Sequence, residues 1–138
     1  MDLLGKDFPY AQEALHGKHA MVCGASKGIG AATAKMMAKA GADVTVCARN
    51  ESALNTLVEE LNTLGSGNHT ALKLDLEDTE NLASTVNSLV ESSGPVHILI
   101  NNAGGPPGGP LMNNSVVDFE APFRRHLHAA HTLVQALA

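Results

Sequence analysis

Apolar and polar residues fall into short blocks along the chain, and the blocks read as strand and helix by turns. His19–Cys23 (HAMVC) is an apolar run that stops at Gly24 and predicts a first strand. Lys27–Ala40 is rich in Ala and Met, predicts a helix, and is closed by Gly41. Asp43–Ala48 (DVTVCA) is β-branched and predicts a second strand. Glu51–Leu64 sets Leu54, Leu57, Val58, Leu61 and Leu64 on one helical face and stops at Gly65. Thr70–Asp75 (TALKLD) predicts a third strand, and Asp78–Ser92 a helix with the stripe Leu82, Val86, Leu89 and Val90, ended by Gly94–Pro95. Val96–Ile100 (VHILI) is almost wholly apolar, as suits a fourth strand covered on both faces. After a Gly/Pro loop a last helix is expected from Ser115 onward, with Ser115 and Asp118 at capping-box spacing.

Four strands separated by helical crossovers require a parallel sheet, because parallel neighbours need a long connection. Right-handed crossovers in this order predict an α/β, doubly wound Rossmann sheet with strand order 3-2-1-4, ending after the helix that follows strand four. The expected organisation is an N-terminal extension over residues 1–14 and one domain over residues 15–138.

Composition narrows the function classes. A net charge of −5, with no basic cluster denser than Arg124–Arg125, argues against nucleic acid as a partner. No stretch approaches the roughly 18 consecutive apolar residues of a membrane helix. The start, MDLLGKDFPYAQ, lacks the basic-then-apolar layout of a secretory signal. Cys23 and Cys47 sit at the ends of two expected buried strands and read as reduced core thiols of a cytoplasmic protein.

The chemistry begins at Gly24-Ala25-Ser26-Lys27-Gly28-Ile29-Gly30, which joins the first strand to its helix. Gly24 allows a tight turn, Gly28 lets the backbone approach a pyrophosphate, and Gly30 lets the helix pack closely. The first-turn amides and the helix dipole then favour an anion. With this Gly-x3-Gly-x-Gly spacing come Asp75-Leu76 after the third strand and Asn101-Asn102-Ala103-Gly104 after the fourth. On these three motifs the chain resembles, over residues 15–138, the N-terminal half of a short-chain dehydrogenase/reductase. The 3-oxoacyl-[acyl-carrier-protein] reductase-like members are the nearest in look.

The resemblance implies a nicotinamide dinucleotide cofactor. NAD-binding sheets of this type carry an acidic residue at the end of strand two. Here that strand ends Ala48-Arg49-Asn50, with no carboxylate until Glu51. Arg49 is set to meet a ribose 2′-phosphate, with Lys27 as a second cation, which favours NADP(H) over NAD(H); the plainer reading is two solvated surface cations. By resemblance Asp75 bonds the adenine amino group, Leu76 flanks the ring, and Asn102, Ala103 and Gly104 line the adenosine and ribose. The cofactor-binding set is therefore Gly24, Ser26, Lys27, Gly28, Ile29, Gly30, Arg49, Asn50, Asp75, Leu76, Asn102, Ala103 and Gly104. The family's usual Thr is replaced by Cys23, whose thiol is a poor hydrogen-bond partner, so the brace to the Asn turn is expected to be looser.

Hydride transfer in this family uses a Tyr with a Lys four residues on, an upstream Ser and an Asn on the helix after strand four. The single tyrosine, Tyr10, precedes strand one and is followed by Ala14 in the Lys position, so no complete catalytic set is present. His126 occupies the Asn position, where an imidazole either exchanges hydrogen bonds or packs. His128 and His131 lie three apart on the same helix without a nearby Cys or carboxylate, and no metal site is expected. The loop Gly104–Pro110 either borders a substrate mouth or is a surface connector. Leu133–Ala138 is an apolar helix end without a cap, which reads as a fragment expected to self-associate through its last helix and open strand edge. The competing readings are an NADP-dependent carbonyl or alcohol oxidoreductase, a nucleotide-binding module without turnover, and an interaction scaffold.

Overall fold

The computed structural model of the chain describes residues 13–105 and 108–138. The extension expected over residues 1–14 therefore lies outside the described residues except for Glu13 and Ala14, as does the Pro106–Pro107 part of the Gly/Pro loop. The elements are β1 (His19–Cys23), α1 (Gly28–Lys39), β2 (Asp43–Ala48), α2 (Glu51–Leu64), β3 (His69–Lys73), α3 (Thr79–Ser93) and β4 (Ile98–Ile100). A C-terminal helical segment follows: a 3-10 turn (Val116–Phe119), α4 (Glu120–Phe123), a π turn (Arg124–His128) and α5 (Ala129–Leu137). The four strands form one parallel sheet in the order β3-β2-β1-β4. That is the order the sequence predicts.

Contacts divide the chain into two compact units. The first comprises the sheet, α1 and α2, ending at Leu74 and resuming over Pro95–Asn102; the second comprises Asp75–Gly94 and Ala103–Ala138. In the first, Ala20 and Val22 of β1 and Val44 and Val46 of β2 pack with Ala34 and Ala38 of α1 and Leu54, Leu57 and Leu61 of α2. Alanines on α1 let helix and sheet approach closely, while the α2 leucines fill the remaining space; each fully buried leucine contributes about 1.5–3 kcal/mol. Gly65 ends α2 with an extended backbone (φ −148), and a Cβ there would overlap the Ala38 carbonyl. Close approach of α2 to α1, not a left-handed turn, is what requires glycine.

The alternate strand positions Met21, Cys23, Thr45 and Cys47 are also buried. A polar line crosses this set near the starts of the strands. The His19 Nε2 and Thr45 Oγ1 lie 2.8 Å apart, and the Thr45 and Thr70 hydroxyls 2.9 Å apart. His69 is buried beside them in sequence, and burial holds its imidazole below the usual 6.5, with the Asp43 carboxylate pulling the other way. In the second unit α3 and α5 pack on each other, and their buried residues are Leu82, Val86 and Leu89 on α3 and Ala129 and Leu133 on α5.

Element ends mostly shift by one or two residues from those expected, and three departures have a local reason. β4 starts at Ile98, not Val96: the His97 N–H donates to the His19 carbonyl (2.9 Å), while its Nδ1 accepts from the His19 N–H (3.0 Å) in place of a ladder carbonyl. β3 ends at Lys73, not Asp75; Leu74 still donates to the Ala48 carbonyl, and the Asp75 carboxylate then turns the chain by accepting from the Glu77 N–H (3.0 Å). The last helix is interrupted by the π turn, an insertion of the kind that collects at functional positions. Its start carries the expected box, with Asp118 Oδ2 accepting from the Ser115 N–H (2.6 Å) and hydroxyl (2.9 Å). Among the described residues no helix is long and apolar enough to cross a membrane.

Candidate nucleotide-binding site

The turn between β1 and α1 is built from backbone. Gly24 and Gly28 both adopt left-handed conformations, with φ of +61 and +59. At Gly24 a Cβ would lie 2.6 Å from the Asn102 carbonyl oxygen and 2.7 Å from its amide nitrogen. At Gly30 it would overlap the Gly24 carbonyl and lie 2.9 Å from the Asn102 Nδ2. Around Gly28 the space is open. Gly30 is thus needed because the first turn of α1 packs on the glycine turn itself, a closer reason than packing on the sheet.

Asn102 ties the end of β4 to this turn. Its Nδ2 donates to the carbonyls of Cys23 (3.3 Å) and Gly24 (3.2 Å). These two bonds run to backbone carbonyls and not to the residue-23 side chain. Cys23 and Cys47 are register partners, both free and buried. Hydrogen bonding to the Cys23 thiol, together with burial, pushes the Cys47 thiol well above its usual range.

The start of α1 suits an anion. No side chain caps it and no acidic residue stands in its first turn, so first-turn amides face outward without a competing carboxylate. Ser26 is half-buried, whereas Lys27, Gly28 and Ile29 are exposed. Arg49 is exposed directly after β2. Asn50 caps α2 by accepting from the Ala53 N–H (3.1 Å). A glycine turn packed tightly at Gly24 and Gly30 but open at Gly28, an uncapped helix start and two exposed cations fit a phosphorylated dinucleotide.

The remaining candidate residues belong to the second unit. Asp75 is exposed, Leu76 and Ala103 are half-buried, and Gly104 is exposed. His126 Nε2 donates to the Gly104 carbonyl (3.2 Å). Sequence reasoning missed two residues here. Arg125 Nε lies 3.2 Å from Glu77 Oε1 and donates to the Ala121 carbonyl (3.3 Å). Nothing in the spacing of Glu77 and Arg125 marks them as partners. His128 and His131 are exposed, and among the described residues no group of three His, Cys, Asp or Glu side chains is arranged to hold a metal ion.

A family model described as short chain dehydrogenase matches residues 18–138. An uncharacterised oxidoreductase of Mycobacterium tuberculosis is 34% identical over 122 residues, covering 88% of this chain and 46% of that protein. The ketoacyl reductase HetN of Nostoc is 32% identical over 123 residues, covering 89% of this chain and 42% of that protein. Among solved structures, the L-sorbose reductase of Gluconobacter frateurii complexed with NADPH and L-sorbose matches with a TM-score of 0.82 at 28% identity, over 92% of this chain and 48% of that one. The chain spans about half the length of the proteins it matches. With the parallel sheet, the glycine turn and the Asn102 clamp, these matches show that the chain belongs to the short-chain dehydrogenase family.

Proposed function

We propose that this chain is the NADP(H)-binding portion of an oxidoreductase that reduces a carbonyl, of the 3-oxoacyl thioester kind, to a secondary alcohol. The observation that carries this reading is the Gly24–Gly30 turn clamped by Asn102 at an uncapped helix start. Gly24, Ser26, Gly28, Ile29 and Gly30 hold the pyrophosphate through backbone amides. Lys27 and Arg49 meet the 2′-phosphate, with Asn50 beside them. Asp75 and Leu76 take the adenine, and Asn102, Ala103 and Gly104 the adenosine and ribose. The nicotinamide, when bound, supplies the hydride.

The phosphorylated cofactor is favoured because β2 ends in Arg49 without a carboxylate, and the matched sorbose reductase is complexed with NADPH. The substrate class rests on the ketoacyl reductase relative. The only tyrosine is Tyr10, with Ala14 four residues on, so this chain by itself binds without turnover. A second copy is the proposed protein partner. Val116, Val117, Phe123, Leu127 and Val134 are all more than half exposed along the C-terminal segment, and their burial favours association. Two free buried thiols support a cytoplasmic setting.

Titration followed by NADPH fluorescence tests the reading. NADPH is expected to bind about tenfold or more tighter than NADH, the contribution of a charge-assisted phosphate contact. Tighter binding of NADH overturns the cofactor choice, and no thermal shift with near-millimolar NADPH overturns nucleotide binding altogether. Sedimentation is expected to show association, and a clean monomer at micromolar concentration removes the self-association proposal.

A further inference from the structure

One partly buried ion pair holds two segments assigned above to the adenine end. The Arg125 side chain is 17% exposed and that of Glu77 35%. Glu77 is the residue whose N–H closes the Asp75 turn, so its carboxylate fixes the turn that carries Asp75 and Leu76. On the other side, Arg125 Nη1 is 3.7 Å from the position a Cβ on Gly104 would take. The next residue, His126, donates to the Gly104 carbonyl. Both Arg125 and His126 lie in the π turn, where the extra residue changes which side chains face these segments.

We infer that Glu77 and Arg125 form a positioning pair for the adenine end of the cofactor site, a reading that rests on the function proposed above. Arg125 is anchored at its base by the Ala121 carbonyl, meets Glu77 with the same Nε, and lays its terminal nitrogen beside Gly104. It thereby holds the Asp75–Glu77 turn and the Ala103–Gly104 segment at a set spacing before any ligand arrives. Pre-ordering of this kind removes an ordering cost from binding. A partly exposed pair contributes at the upper end of the surface range, which sets the scale of the effect.

The test uses 2′,5′-ADP, which carries the adenine end without the nicotinamide, alongside NADPH. Arg125→Met and Glu77→Gln are each expected to weaken both ligands about fivefold, equivalent to about 1 kcal/mol. The swapped pair Glu77→Arg with Arg125→Glu is expected to recover part of that loss. In the ligand-free chain, amide hydrogen exchange is expected to quicken at Glu77 and Gly104 in both single variants and to stay unchanged at Gly28–Ala31. Glu77→Gln, at the more exposed end, guards against loss of fold in the arginine variant. If Arg125 instead works by touching the nucleotide, Glu77→Gln frees it and tightens binding, which overturns the pair. Unchanged affinities and exchange in both variants overturn it too, while the wild-type chain still binds. A wild-type chain that binds neither ligand overturns the proposed function itself.

Discussion

The turn after β1 and the turn after β3 are held by opposite means. At the first, backbone meets backbone: Gly24, Gly30 and Asn102 are so close that glycine's missing side chain is the structural element. At the second, side chains hold the chain: the Asp75 carboxylate closes the turn, and Glu77 reaches Arg125. A backbone site accepts very few residues at its close contacts. A side-chain site accepts many pairings that give the same spacing. The first leaves a readable motif, and the second leaves almost none.

The largest effect is expected inside the glycine turn. Gly24→Ala combines a left-handed backbone with a Cβ 2.6 Å from the Asn102 carbonyl, and is expected to cost about 3 kcal/mol in urea unfolding. Gly28→Ala has nearly the same φ in open space and is expected to cost only about 1–2 kcal/mol. Equal losses would mean that close approach contributes nothing beyond backbone strain.

Next in size is the cation after β2. Arg49→Ser is expected to weaken NADPH about tenfold and leave NADH unchanged, measured by competitive titration. A parallel loss for both nucleotides would show that Arg49 acts on the fold or the shared diphosphate, not on the 2′-phosphate.

Acid is expected to separate the two units by the pH at which each weakens. His69, in the first, has an imidazole held below 6.5 by burial, so the unfolded chain takes up its proton at higher pH than the folded one. Its stability contribution is complete above 6.5 and falls as pH drops through 6.5 toward the lowered value. The groups acting on it are the Asp43 carboxylate, which opposes the shift, and burial, which causes it. His69→Leu is expected to flatten urea midpoints across that window; an unchanged slope would clear His69 of the effect.

The smallest effect is expected at Asp118, in the second unit. Its carboxyl is held below the usual 3.8 by hydrogen bonds from the Ser115 backbone and side chain. That contribution is present above 3.8 and is lost as pH falls through the lowered folded value. Asp118→Asn is expected to remove this small acid arm of helicity, read by circular dichroism, without moving the arm due to His69.

Much of the fold was legible because it is local. β1, β2 and α2 run as the apolar pattern predicts, since alternation and the 3.6 period report burial directly. Boundaries failed where a side chain replaced the backbone pattern: His97 at the start of β4, and Asp75 beyond the end of β3. Gly65 was legible as a stop but not for its reason, because the atom it makes room for, the Ala38 carbonyl, is distant in sequence. At the site, the glycine turn and Asn102 could be read, whereas the Glu77–Arg125 pair could not. The contact of His126 with Gly104 could not be read either, since the two are distant in sequence.

The order of strands and crossovers, hence the parallel sheet, and the glycines of the turn after β1 could be read from the amino-acid sequence alone. Those follow from period and stereochemistry, which act over a few residues. Packing alone sets the clamp of Asn102 on the turn through carbonyls, the π turn in the last helix, and the meeting of Arg125 with Glu77. These contacts join residues far apart in the chain, and their geometry exists only once the surrounding elements have packed.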